Sequence, residues 1–128
     1  MTRRSISIVL FVLLTGILLV ACGGGDDGGG QTYSQEQIDS GETLYLATCS
    51  ACHGPDGMGI ENLGRAIVGS EFVNDRSDTE LLEYVKTGRA VDDPLNTTGI
   101  AMPPKGGNPA LTDEQIQDIV AYARSIQP

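Results

Sequence analysis

The clearest periodicity lies near the C-terminal end, where Ile116, Ile119, Val120 and Ala123 recur at i, i+3, i+4 and i+7. That spacing lays one apolar stripe along a helix. Thr112-Asp113-Glu114-Gln115 precedes it as a capping box, with Thr as the cap and Gln three residues on. Ser77-Asp78-Thr79-Glu80 opens a second helix, with Leu81, Leu82 and Val85 inward and Gly88 as its stop. Ser34-Gln35-Glu36-Gln37 opens a third, predicted from about Gln35 to Thr48 and containing Ile38, Leu44 and Tyr45. The stretches between are rich in Gly, Pro and Asn, notably Gly54 to Gly59 and Asp92 to Pro109. No run alternates apolar and polar residues as a half-buried strand does. The pattern predicts an all-α domain over residues 34–128, without internal repeats.

The first residues follow another pattern. Met1-Thr2-Arg3-Arg4 is basic, and Ser5 to Ala21 then runs 17 residues without a charge. A basic start, an apolar stretch and a small residue at the end make a signal peptide over residues 1–21. Leu19-Val20-Ala21-Cys22 resembles the lipobox of bacterial lipoproteins, in which the peptidase cuts before the cysteine and the thiol carries a diacylglyceryl group. Cys22 is therefore the candidate lipidation site and membrane anchor. The alternative is an uncleaved transmembrane helix, since 17 apolar residues stand at the lower limit for a span. Both readings place the rest of the chain outside the cytoplasm. Residues 22–33 include GGGDDGGG, which has nothing to pack. Such a tether of about 12 residues reaches roughly 20 Å.

Composition narrows the function. The 128 residues suit one domain. Aromatics are 5% with no Trp, so a core from this chain alone is thin in large side chains and leaves room for a cofactor. The net charge of −9 excludes sequence-independent nucleic-acid binding, which needs a basic surface. Three cysteines cannot all pair within one chain, so a pure disulfide scaffold is excluded too.

The chemistry is concentrated in Cys49-Ser50-Ala51-Cys52-His53, a C-x-x-C-H motif. This is the signature of covalent haem attachment. Two thiols three residues apart on a helical turn add to the two haem vinyl groups, and the histidine that follows ligates the iron. Its Nδ1–H then needs an acceptor. A thioredoxin-like redox pair needs a βαβ context, and a zinc site needs ligands beyond the single His. One motif implies one haem. With no second His, a methionine is the natural sixth ligand. Met1 leaves with the signal, and Met58 lies only five residues past His53, too near to reach the opposite face. Met102 is far enough along, in Gly99-Ile100-Ala101-Met102-Pro103-Pro104, where two prolines stiffen the loop. The other reading makes Met102 ordinary core and leaves the sixth position open.

With these residues in place, residues 34–128 resemble a class I cytochrome c, a small monohaem electron carrier. Gly41, eight residues before Cys49, and Tyr45, four before, match the family's glycine and aromatic at the crossing of the terminal helices. Ile119 and Tyr122 look like the partners of that crossing. The resemblance implies an all-α cytochrome c fold: three to five helices around one covalently attached haem c, with N- and C-terminal helices crossing. It implies Cys49 and Cys52 as thioether positions, His53 as proximal ligand and Met102 as distal ligand. One departure stands out. The family often has a proline after the motif whose carbonyl accepts from the axial histidine, and here Ile60-Glu61-Asn62-Leu63-Gly64 holds none. Nor does the resemblance single out haem-propionate partners among Arg65, Asn62 and Lys105.

The function expected is single-electron transfer by a membrane-tethered, extracytoplasmic carrier with no small-molecule substrate. Redox proteins with basic docking surfaces would be its partners. A fixed subunit of a quinol-oxidising, oxidase or dehydrogenase complex is the alternative. A ligand-binding haem protein with an open sixth site is a third, and it requires Met102 to be off the iron.

Overall fold

A computed structural model describes residues 31–128; the expected signal, Cys22 and the expected tether up to Gly30 lie outside the described residues. Helix α1 spans Gln35–Thr48 and α2, one turn, Ser50–His53. Another single turn, α3, spans Glu71–Asn74, followed by α4, Asp78–Thr87, and α5, Asp113–Ser125. A 3₁₀-type turn, Pro104–Gly107, precedes α5. Among the described residues there is no strand, only the isolated bridges Ile60–Gly64 and Arg89–Met102. The all-α expectation holds.

All three capping boxes form. Ser34, Ser77 and Thr112 each accept from the backbone N–H three residues on, and Gln37, Glu80 and Gln115 each reach back to the cap's own N–H. Each box satisfies two amide donors that a helix start leaves without partners. Helix α4 stops at Gly88, whose φ of 72° is left-handed. A side chain there would also meet the Met102 carbonyl oxygen at 2.2 Å, so Gly88 both ends the helix and admits the later loop.

The main contact is α1 against α5. A Cβ on Gly41 would lie 1.9 Å from the carbonyl oxygen of Asp118, so only glycine permits this approach. Tyr45, fully buried, packs on Tyr122 with ring centroids 5.2 Å apart, and its hydroxyl donates to the Gly54 carbonyl at 2.6 Å. Tyr122 takes its expected place at the crossing. The residue under Gly41 is Asp118, through its backbone. Ile119 joins a buried cluster with Leu82, Leu111 and Ile116, against which Leu44 of α1 packs. A second cluster joins Val73, Leu81 and Val120. Leu81 and Leu82 are buried as predicted, and Val85 is half-buried.

Just before α1, Tyr33 is tied to the rest of the described residues. The Tyr33 hydroxyl donates to Asp78 Oδ2 at 2.5 Å, and Arg124 Nε donates to Asp78 Oδ1 at 3.0 Å. Arg124 also donates to the carbonyls of Val73 and Arg76, fastening the α3–α4 corner to α5. No described helix is long and apolar enough to cross a membrane.

Candidate haem site

Cys49 caps α1, and its carbonyl accepts from the amides of Cys52 and His53 at 3.1 and 3.0 Å. This tight turn is what brings the two cysteines and the histidine into one compact unit. Burial, and next the neighbouring Cys52, push the Cys49 thiol up to about 11. The thiol is therefore protonated at neutral pH.

His53 Nδ1 lies 2.7 Å from the carbonyl oxygen of Arg65. A carbonyl only accepts, so Nδ1 carries the proton and Nε2 keeps its lone pair for a metal. The acceptor that the missing proline left open is thus a backbone carbonyl placed by other means. Ile60 and Gly64 exchange both of their backbone hydrogen bonds, at 2.8 and 3.1 Å, closing a small turn. Asn62 occupies its tip at φ 60°, a conformation asparagine tolerates better than most residues. A Cβ on Gly64 would come 2.2 Å from the Cys52 carbonyl oxygen. The lack of a side chain lets this turn lie against α2 and brings Arg65 to His53.

Met102 arrives from the other side of the chain. Its N–H donates to the Arg89 carbonyl at 2.9 Å, and its carbonyl accepts from the Arg89 N–H at 2.8 Å. The loop between is organised by Asn96. Its side-chain amide donates to the carbonyls of Ala90 and Ile100, both at 2.9 Å, and its Oδ1 accepts from the amides of Thr98 and Gly99. After Met102, Pro103 and Pro104 lead into a turn that lays Gly106 against Thr48 and Cys49.

Cys49, His53 and Met102 line one cavity of about 620 Å³, walled mainly by apolar side chains such as Val73, Leu81 and Ile119. A smaller adjoining pocket of about 100 Å³ shares these three residues and adds Cys52. Met58 lines neither; it is exposed. Lys105 turns away, donating from Nζ to the Leu111 carbonyl at 2.6 Å. Arg65 sits at the rim, with Nη1 donating to Thr97 Oγ1 at 3.0 Å. Sequence reasoning passed over Arg89 and Tyr84, which line both pockets. The signal for Arg89 was its place directly after the glycine stop of α4.

The cavity fits a haem. Its volume and apolar walls suit a large flat ring. The donor set matches as well: two thiols, an imidazole with its outer nitrogen already bonded, and a thioether. Among the described residues no three His, Cys, Asp or Glu side chains gather as a metal-binding cluster, which leaves the zinc reading without further ligands. The thioredoxin reading finds no strands among the described residues.

The charges are unevenly placed. Each described cation is tied to an internal partner. Lys86 holds Glu83 and Asp113, and Arg124 holds Asp78. Arg76, Arg89 and Lys105 donate to the carbonyls of Phe72, Leu95 and Leu111, and Arg65 donates to Thr97. Many carboxylates, among them Glu36, Glu42, Glu61 and Glu114, are exposed.

The family described as cytochrome c oxidase, cbb3-type, subunit III matches residues 36–122. Cytochrome c-555 of Prosthecochloris aestuarii is 35% identical over 89 residues, 69% of this chain and 86% of the relative. Cytochrome c-551 of Bacillus subtilis is 28% identical over 91 residues, 68% of this chain and 78% of its own. The cytochrome c subunit of the quinone alcohol dehydrogenase of Gluconobacter oxydans is 28% identical over 88 residues, 69% of this chain but 18% of that longer protein. No solved structure matches the chain at comparable significance. The matched span runs from the first turn of α1 into the last turn of α5 and holds the Cys49–His53 turn and Met102, and so the chain belongs to the class I c-type cytochromes, electron-transfer proteins with one covalently bound haem c.

Proposed function

We propose that this chain is an extracytoplasmic electron carrier tethered to a membrane through lipid on Cys22. Cys49 and Cys52 hold the haem through thioethers, His53 is the proximal ligand and Met102 the distal one. The observation that best supports the haem ligand set is that Cys49, His53 and Met102 line one apolar cavity, with the His53 outer nitrogen already donating to Arg65. When bound, the haem supplies a one-electron couple. Each residue has a share in that chemistry. The Arg65 carbonyl fixes the imidazole ring and raises its basicity. The Met102 thioether favours the reduced state and raises the potential. The apolar walls add to this by disfavouring the extra positive charge of the oxidised state. The outward carboxylates favour partners with basic docking surfaces and association that weakens with salt.

Optical spectra of the holoprotein test the ligand set. The expected result is a low-spin spectrum in both oxidation states, with the weak near-infrared band of thioether-ligated ferric iron. Met102→Ala removes that band and lets the ferrous protein bind carbon monoxide. A wild type that is high-spin, or that binds carbon monoxide readily, overturns Met102 as ligand and favours a ligand-binding haem protein.

A fixed subunit of a larger oxidoreductase is the second reading. It is favoured by the matching family's description as an oxidase subunit and by one similar protein being named as a subunit of a quinone-linked dehydrogenase. Purification from native membranes separates the two, since a subunit co-purifies with its complex and a shuttle does not.

A further inference from the structure

Arg89 is the one charged side chain deep in the wall of the large cavity whose bonding is incomplete. It follows the glycine stop of α4, and its side chain is only 14% exposed. Its guanidinium lies 4.9 Å from the ring centre of Phe72 and 5.0 Å from that of Tyr84. Nη1 donates to the Leu95 carbonyl at 3.2 Å. Nε is buried and has no hydrogen-bond partner among the described residues. The nearest carboxylate oxygen, Asp93 Oδ2, stands 3.8 Å from it, too far for a hydrogen bond.

A buried N–H on a cation is costly to leave unpaired, so the site has a use for an acceptor. Aromatic faces beside a guanidinium attract its charge but do not satisfy its N–H. The acceptor must enter from the cavity, because Arg89 lines both pockets and the protein around Nε supplies none. A haem brings two carboxylates on flexible arms at one edge of its ring. Planar guanidinium is the side chain best shaped to take a carboxylate.

We propose that Arg89 receives a haem carboxylate and, through its backbone, ties that contact to the loop that presents Met102. The two residues exchange both of their backbone hydrogen bonds, at 2.8 and 2.9 Å. Arg89 is thus a positioning residue with two grips, one on the ring's acidic edge and one on the distal loop. It is also a fixed positive charge at the cavity wall. It opposes the added positive charge of the oxidised state, and in neutralising the carboxylate it removes a negative charge that would favour that state. Both effects raise the potential. The inference rests on the haem reading of Cys49, Cys52 and His53.

The test uses holoprotein in which the haem carboxylates carry ¹³C, followed by infrared spectroscopy, with the reduction potential measured in parallel. In Arg89→Gln one labelled carboxylate band shifts, and the oxidation equilibrium moves about tenfold toward the ferric state, ~59 mV for one electron. Arg89→Lys keeps the charge, so it recovers most of the potential while its band still differs from the wild type. Asp93→Asn leaves the labelled bands in place. If Arg89→Gln yields no holoprotein, Arg89→Lys decides, and a band identical to the wild type overturns the proposal. Unmoved bands in Arg89→Gln, or an Asp93→Asn that reproduces all its changes, overturn it too. In those cases intact thioether links and unchanged axial ligation leave the haem reading standing. A wild type without thioether-bound haem overturns that reading instead.

Discussion

Two regions meet at the cavity and are built in opposite ways. The crossing of α1 and α5 is regular and buried, closed at Gly41 to within the thickness of a backbone. The segment from Gly88 to Asn108 has little regular structure and leaves Val91, Leu95 and Ile100 exposed. The first delivers Cys49 and His53 a few residues from the end of α1. The second delivers Met102 after a loop held by one asparagine, two prolines and a two-bond bridge to Arg89. One side of the site is therefore inherited from the fold, while the other is an addition that can loosen while the fold survives.

The most damaging test of the first region is Gly41→Ala. Its Cβ meets the Asp118 carbonyl, part of a packed helix that cannot rotate away, and the expected loss is about 3 kcal/mol in denaturant unfolding of the holoprotein. Tyr45→Phe is milder. It keeps the ring packing but removes the shorter of two hydrogen bonds to the buried Gly54 carbonyl, which then accepts only from the Gly57 N–H, at a cost of about 1.5 kcal/mol by the same measurement. Thr112→Ala removes the cap of α5 and costs about 1 kcal/mol. In the second region, Asn96→Ala changes unfolding by less than about 1 kcal/mol, because its bonds lie in an exposed loop. Its effect shows in the site, as faster carbon monoxide binding to the ferrous protein. A loss of stability comparable to that of Gly41→Ala would break the comparison.

The smallest effect expected is alkaline. Burial first, then the hydrogen bond to Asp78 and its negative charge, push the Tyr33 hydroxyl up to about 12. The folded state keeps this proton longer than the unfolded state does, so its contribution is complete below about pH 10. It is lost as pH rises toward 12. Tyr33→Phe should therefore flatten the fall of the melting temperature across that window, relative to the wild type.

The same contrast governs what the sequence reveals. Each capped helix is announced by its first four residues, because a capping box is local chemistry. The Cys49–His53 turn is equally local. The acceptor for His53 is not, since any residue can offer a carbonyl; only Asn62 and Gly64 carry a trace of the turn that brings Arg65 there. Helix α3 is too short for periodicity and exists because Val73 is buried and Phe72 packs on Tyr84, with ring centres 4.5 Å apart. Asp118 at the crossing was hidden for a similar reason. It meets Gly41 through its backbone, which no side-chain pattern encodes, while its carboxylate accepts from Ser40 Oγ at 2.8 Å.

The inward ties of the cations have a further consequence, for traffic between copies. Two such molecules present like charge to each other, so electron exchange between them is slowed by repulsion. Added salt relaxes that repulsion and speeds self-exchange, whereas it slows encounter with a basic partner. The ratio of the two rates therefore swings with ionic strength in one direction only. With a basic partner, low salt would send an electron onward to that protein rather than along a crowd of equals.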